Sequence, residues 1–413
     1  MKLLNVDTLQ QARDKLLKAA AGKIPDIEYV SFDESMGRIL AKDLLSKENI
    51  PDFRKSTVDG YAVKAKDTQG VTESIPVFLE VTEEVAMGKA PEKTLKSGQA
   101  AYVPTGGMLP DGADAVVMME YAEKFDESSI AVYDSVSFGR NVIQIGEDIE
   151  QGQKFLKKGC KVRFQEVGVM SSAGFAEVPV FKPWKMTVIS TGDELVDALH
   201  TLERGQTRDI NTYSLSAAGK KYGFEILEQK VLKDSRECIK EDIEGAMHES
   251  DIVIVSGGSS QGDKDYTAGI MDELASCGVL THGIALKPGK PTILAYDENT
   301  RTVLTGLPGH PVAAVLVFEL IIAWLYRKLT GSCEPLKTSA RISENVSAAG
   351  GKTVCLLVEL EEGEKGEDGI CIARPVFGKS GLMTMMTRAD GYTLIDVNDE
   401  GLAKDEIVQV TLF

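Results

Sequence analysis

At 413 residues the chain is longer than one hydrophobic core ordinarily supports, which predicts about three domains. Its 43% hydrophobic and 26% charged content is that of a folded globular protein. A formal net charge of -17 argues against non-specific nucleic-acid binding, because a phosphate array needs a basic face, so any anionic ligand must meet a local cluster of cations.

The first predicted element is an amphipathic helix in MKLLNVDTLQQARDKLLKAA, with Leu9, Ala12, Leu16 and Leu17 on one stripe. The stretch lacks the apolar core and cleavage site of a signal peptide, so a cytoplasmic protein is expected. From Ser46 to about Asn141, short alternating runs (VFLEVTEEV, AAYVP, DAVVMMEY, SIAVY) separated by Gly, Pro and Asp turns predict a β-rich module. Residues 142–179 carry turns at Gly152 and Lys158-Gly159 and a short helix from Gln165. They are expected to pack back on the N-terminal segment, so that 1–45 and 142–179 make one elongated helical and extended linking domain into which 46–141 is inserted.

Residues 180–329 read as an α/β domain. Runs at 186–190, 252–256 and 302–305 are short and β-branched, as buried parallel strands are. Val312 to Tyr326 is the most apolar stretch, but it contains Glu319 and falls short of the roughly 20 residues a membrane span needs. It predicts a buried helix with Pro311 in its first turn. In 330–413 the runs TVCLLVELEE, GICIARPVF, GYTLIDV and EIVQVTLF predict a small C-terminal β-barrel, with the acidic EEGEKGEDG at 361–369 as a solvated hairpin loop. The fold class is therefore α/β plus β in a multi-domain chain: a central α/β domain with a mostly parallel sheet, a β-rich inserted module and the barrel. Six cysteines without a CxxC pair and four histidines without zinc-ligand spacing read as buried free thiols in a reducing compartment.

The chemistry-bearing motifs gather at predicted strand ends of the α/β domain, where ligands of such sheets sit. In STGDEL, Asp193 and Glu194 could hold a hydrated Mg2+ against a phosphate, although Ser, Thr and Asp also favour an ordinary helix cap. VSGGSSQGDKDYT adds paired glycines with Asp263 and Asp265. KPGKP sets Lys287 and Lys290 between prolines, either as an anion site or as a solvated turn. GLPGHPVAA places a Gly- and Pro-containing turn against a helix start, which favours an anion on dipole grounds. KSTVDGYAV, VPTGGMLPDGADAVV and IGEDI are further loops whose order carries more than any one of them.

That order, DGYAV, PTGG with PDGADAVV, GEDI, STGDEL, SGG with a following DY, KPGKP and GLPGHPVAA, resembles the MoeA family of molybdopterin molybdenumtransferases, related to the gephyrin E domain. The resemblance spans nearly the whole chain. It implies a homodimer of elongated four-domain subunits that inserts molybdate into adenylylated molybdopterin, releasing AMP in a Mg2+-dependent step. By the same resemblance Asp193, Glu194 and Asp265 hold the metal, and Asp234 joins them on the pterin-nucleotide side. Thr191, Gly192, Ser256, Gly257, Gly258, Pro308, Gly309 and Pro311 line the binding site, with Ser256, Gly257 and Gly258 near the phosphates. Lys287, Lys290, Pro291 and Ser380 (in GKSGLMT) face the oxyanion, while Asp59, Thr105 and Asp148 approach from the β-rich side of the partner subunit. Beyond a second copy, the implied partners are the molybdopterin adenylyltransferase and molybdoenzyme apoproteins.

The chain departs from the family pattern at several positions. Ile143 and Ile145 stand where Arg or Lys is usual before GED, and Gly283 where a cation commonly precedes KPGKP. His310 replaces Asn, and DSN or DTN reads Asp209-Ile210-Asn211. In the last domain the basic pattern is reduced to Gly351-Lys352 with Leu357. A non-catalytic pterin-binding scaffold, or an adenylyltransferase, therefore stays open beside the molybdenumtransferase.

Overall fold

The β-branched runs of the α/β region form adjacent strands at the centre of a six-stranded sheet. The computed structural model describes residues 6–257, 266–348, 350–361 and 370–413. The strand order is Glu225–Leu232, Lys185–Thr191, Ile252–Ser256, Thr302–Leu307, Ile293–Asp297 and Val279–His282. The first four run parallel, and Ile293–Asp297 is antiparallel to both its neighbours. The mostly parallel sheet expected from the sequence is thus present.

Alternation along these strands splits the core into two layers. Val188, Ile254 and Val303 face the helix Asn211–Lys221 and the helical rod from Pro311 to Thr330, whereas Ile189, Val255 and Leu304 face helices Arg236–Glu249 and Thr267–Leu274. Both faces are covered, which explains why the runs are apolar without a polar alternate.

The apolar stretch at 312–326 is buried helix, as expected, beginning at Pro311 and ending where Gly331 takes a left-handed C-cap with φ 73°. Its middle turn, Phe318–Ala323, is π-helical and buries Glu319. The Glu319 carboxylate accepts a hydrogen bond from the Tyr222 hydroxyl and one from Lys221 Nζ at 3.3 Å. Burial, reinforced by that carboxylate, pushes the Tyr222 phenol well above its ordinary range. Among the described residues no helix is long and apolar enough to cross a membrane.

The N-terminal helix Leu9–Ala19 starts with a capping box between Thr8 and Gln11. Its buried stripe of Leu9, Ala12 and Leu16 packs into the α/β core, and Arg13 lies 5.0 Å above the Trp324 ring while its Nε donates to the Leu320 carbonyl. This differs from the expected grouping of all of 1–45 in the linking domain. The stripe is matched by the flank of the buried rod, which sequence periodicity alone does not reveal. From Ile27 onward the chain does pair with the later segment: Ile27–Ser31 runs antiparallel to Glu177–Phe181, and Leu44–Leu45 to Lys154–Leu156. Leu40, Leu44, Val162, Met170 and Val180 form a small core there, with Met170 on the helix Phe164–Ser172.

A separate six-stranded sheet holds residues 60–132, in the order Ala115–Met118, Gly60–Val63, Gln99–Val103, Val77–Glu84, Ser129–Val132 and Ala122–Lys124. At the C-terminus Thr353–Glu361, Cys371–Pro375, Lys337–Ile342, Ile407–Leu412 and Gly391–Ile395 pair in that order, and the last returns to the first, closing a five-stranded barrel. Residues 362–369 of the expected acidic hairpin loop lie outside the described residues. The barrel shares a core with the α/β layer through Cys355, Leu357, Val376 and Tyr392.

All six cysteines are free, as expected, but only Cys355 is buried; Cys238, Cys277 and Cys333 are exposed, because they sit on helix and loop surfaces rather than on core-facing strand positions. Asp297 ends its strand by accepting the Thr300 N–H and hydroxyl, each at 2.8 Å, and the Ser276 N–H at 3.0 Å. Burial opposes its ionisation, but these donors outweigh burial and hold its pKa at about 2, below the ordinary 3.8. A depressed carboxyl pKa stabilises the fold above the unfolded value, and that contribution is lost as pH falls through the folded one. Asp297→Asn should cost about 2 kcal/mol at neutral pH. The difference should shrink between pH 3.8 and about 2. Urea titrations of both proteins at neutral and acid pH check this, and an undiminished gap in acid would assign the loss to shape rather than charge.

Candidate active site

Three neighbouring parallel strands end in three glycine-bearing turns, side by side at the carboxyl edge of the central sheet. Lys185–Thr191 runs into Gly192, Ile252–Ser256 into Gly257, and Thr302–Leu307 into Pro308 and Gly309. Gly257 has φ 106°, and a Cβ there would collide with the Thr191 carbonyl oxygen, so only glycine fits. Gly309 lies against it, its missing Cβ 3.7 Å from the Gly257 Cα.

Asn211, the first residue of helix Asn211–Lys221, ties the second and third of these turns together. Its Nδ2 donates to Ser256 Oγ at 2.7 Å and to the Gly309 carbonyl at 2.9 Å, while Ser256 Oγ donates to the Pro308 carbonyl at 3.3 Å. The buried Asp209 carboxylate accepts from the Asn211 N–H at 3.1 Å and from the Thr212 hydroxyl, fixing the helix start. The result is a cleft of about 520 Å³, into which Glu194, Asp234 and Arg208 also project. Among the described residues Thr191 Oγ1 and Asn211 Oδ1 are buried without a hydrogen-bond partner, leaving polar capacity at the cleft wall.

A second cavity of about 600 Å³ lies between the α/β region and the barrel. Leu286–Lys287 pairs in parallel with Thr353–Val354 of the barrel, which anchors one end of KPGKP. The Lys290 carbonyl accepts the Ile284 N–H at 2.9 Å and the Gly289 carbonyl accepts the Thr292 hydroxyl at 2.7 Å, which anchors the other. Lys287-Pro288 is a cis peptide bond. Lys287, Lys290, Lys352 and Ser380 supply the polar wall, and Leu286, Leu316, Leu357 and Val376 belong to an apolar one. The two cavities share Pro291, Pro308 and His310. His310 Nδ1 lies 2.8 Å from Ser380 Oγ, and the Val312 N–H donates to the Ser380 carbonyl at 3.2 Å, joining the barrel side to the helix start.

Most of the residues selected from the sequence therefore converge. Thr191, Gly192, Glu194, Asp234, Ser256, Gly257, Pro291, Pro308, Gly309 and Pro311 line the first cleft, and Lys287, Lys290, Pro291 and Ser380 the second. Asp193 stands beside them, its carboxylate accepting the Asp234 N–H at 3.3 Å. Gly258 and Asp265 lie outside the described residues. Asp59 and Thr105 bond each other through the Thr105 N–H at 2.8 Å, and Asp148 lines a separate cavity of about 370 Å³ with Gln153 and Glu166. None of these three lines either cleft within one chain. Gly283 also reads differently in three dimensions: it is buried with φ 99°, so a glycine there meets a backbone requirement, and it lines neither cavity.

Sequence reasoning missed Arg208 and the clamping role of Asn211. Arg208 lies on a two-residue strand, Thr207–Arg208, paired with Leu195–Val196. Its one signal was a cation beside Asp209 and Asn211, in a chain of net charge -17. As to a metal, no group of three or more His, Cys, Asp or Glu side chains among the described residues is placed to hold one. Mg2+ commonly takes only one or two carboxylates, completing its shell with water and substrate phosphates. Glu194 and Asp234 in one cleft, with Asp193 adjoining, fit that donor set.

The chain matches three family models: "MoeA N-terminal region (domain I and II)" over residues 7–174, "Probable molybdopterin binding domain" over 187–327 and "MoeA C-terminal region (domain IV)" over 339–413. It is 31% identical over 385 residues to the molybdopterin molybdenumtransferase of Staphylococcus epidermidis, covering 93% of this chain and 90% of that protein. To the Haemophilus influenzae protein of the same name it is 32% identical over 351 residues, covering 84% of each. The crystal structure of the molybdopterin biosynthesis MoeA protein from Pyrococcus horikoshii OT3 is similar with a TM-score of 0.84 at 29% identity, over 99% of this chain and 100% of that one. With its glycine-lined cleft, its lysine-lined cavity and this end-to-end similarity, the chain belongs to the MoeA family of molybdenum cofactor biosynthesis.

Proposed function

We propose that this protein is a molybdopterin molybdenumtransferase that inserts molybdate into adenylylated molybdopterin and releases AMP in a Mg2+-dependent step. The observation that carries this reading is the pair of adjoining cavities with complementary chemistry, one with carboxylates and glycine turns, the other with lysines and a hydroxyl. Gly192, Gly257 and Gly309 let phosphate oxygens approach the backbone at the strand ends. Arg208 answers phosphate charge, and Asn211 keeps the Gly257 and Gly309 turns in register. Glu194 and Asp234, beside Asp193, would hold the Mg2+, which when bound supplies Lewis-acid polarisation of a phosphoryl oxygen. Lys287, Lys290 and Lys352 draw molybdate to the far wall, where Ser380 offers a hydroxyl. The cavity of about 600 Å³ is much larger than a tetrahedral oxyanion, so its apolar side is left for the carbon and sulfur body of the substrate.

A homodimer would complete the site by bringing Asp59, Thr105 and Asp148 of one subunit towards the clefts of the other. Free thiols throughout agree with action in a reducing cytoplasm. Contacts with the adenylyltransferase that supplies the substrate, and with molybdoenzyme apoproteins that take the product, belong to the same reading. The apolar Leu357 in the oxyanion cavity favours the alternative, a pterin-binding scaffold without turnover.

Molybdate-dependent AMP release from adenylylated molybdopterin decides between them. The wild type should release AMP, and Glu194→Gln, which keeps shape but removes a hard anionic oxygen, should raise the Mg2+ requirement about tenfold. Tight substrate binding with no AMP from the wild type would establish the scaffold instead.

A further inference from the structure

The wall shared by the two cavities holds two prolines and one titratable side chain, His310. The His310 backbone caps the helix that starts at Pro311, and its imidazole is solvent-exposed. Among the described residues, the contact between His310 Nδ1 and Ser380 Oγ at 2.8 Å is the one hydrogen bond of the Ser380 hydroxyl. A hydroxyl carries a single proton. Where Nδ1 accepts it, Ser380 turns only lone pairs towards the cavity, and these repel an oxyanion. Where Nδ1 carries a proton, the imidazole donates to Oγ, and the Ser380 O–H is free to donate to the anion. An imidazolium has a proton on both ring nitrogens, so it enforces the second arrangement and adds a cation.

We propose that His310 is a positioning residue that sets the donor direction of Ser380, so that oxyanion capture in the lysine-lined cavity strengthens as the solution is acidified. The inference rests on the oxyanion role proposed for that cavity. The charged groups lining the two cavities that His310 joins are Lys287 and Lys290 on the KPGKP loop, Lys352 on the barrel, and Arg208, Glu194 and Asp234 in the first cleft, and Lys379 precedes Ser380 in the chain. Changing His310 alone leaves all of them in place.

The test is calorimetric titration of the full-length protein with micromolar molybdate between about pH 6 and about pH 8. The wild type should bind about tenfold more tightly at the acid end, the effect of freeing one charge-assisted donor. His310→Asn, whose amide carries donors at every pH, should bind with one affinity across the range. Ser380→Ala should lose most of the pH dependence, and Lys290→Ala should weaken binding at both ends. A wild-type slope retained in His310→Asn overturns the inference. So does a flat wild-type profile with binding still sensitive to Lys290→Ala, an outcome that leaves the oxyanion cavity standing. Absence of molybdate binding by the wild type at any pH removes the oxyanion reading, and the inference with it.

Discussion

Replacing both lysines of the KPGKP loop, as Lys287→Ala with Lys290→Ala, should raise the molybdate needed for AMP release by about a hundredfold or more. Each lysine is exposed and lines the same cavity, and no carboxylate pairs with either among the described residues. The chain carries a net charge of -17, so a dianion approaches against the average field and depends on these local cations. One charge-assisted contact is worth roughly 1.5 to 3 kcal/mol, and two together correspond to about two orders of magnitude or more. Lys352 and Ser380 remain in the double variant, so saturating molybdate should recover much of the maximal rate. Affinity for adenylylated molybdopterin should change far less, because the cleft proposed for its phosphates is the other one. An unaltered molybdate requirement would remove the loop from the oxyanion site.

What was legible in the sequence follows from where the determining forces act. Strands such as Ile252–Ser256 were visible because burial on both faces demands a continuous β-branched run, which is a local signal. The buried helix after Pro311 was visible for the same reason. Its π-helical turn has no such local signal, and Glu319 within it bonds Tyr222 and Lys221, which only the fold brings near. The KPGKP loop looked like one more strand-end turn of the α/β domain, yet Leu286–Lys287 hydrogen-bonds to the barrel, a pairing between segments far apart in the chain. In sequence Asn211 stands out only as part of a variant motif, because its two side-chain bonds reach Ser256 and Gly309, which only the folded sheet makes neighbours. In sequence Gly283 stands where a cation is usual, but its φ of 99° is a backbone requirement that a motif comparison does not contain. Asp59, Thr105 and Asp148 were grouped with the cleft by resemblance alone, and a single chain does not bring them there.

Gly257→Ala should cripple the phosphate side of the site while leaving the fold in place. The φ of 106° at Gly257 lies in a region that side-chain-bearing residues rarely adopt, which costs on the order of 1 to 3 kcal/mol. The added methyl would also meet the carbonyl oxygen of Thr191 and come within 2.9 Å of its Oγ1, both at the end of the neighbouring central strand. That strand is buried and cannot retreat, so the Gly257 turn must move instead. Ser256 and Gly309 are joined through Asn211, so displacement of the Gly257 turn disturbs the Gly309 turn as well. Binding of adenylylated molybdopterin should weaken by one to two orders of magnitude, as about 1 to 3 kcal/mol implies. Far-ultraviolet circular dichroism should be unchanged. Gly245→Ala serves as the control, since it lies inside the helix Arg236–Glu249 with nothing within 4 Å of the added Cβ. There the same methyl should stabilise the protein by about 0.5 to 1 kcal/mol, because alanine suits a helix interior better than glycine. Wild-type substrate affinity in Gly257→Ala, measured beside that control, would mean that the glycine turns do not cradle the phosphates.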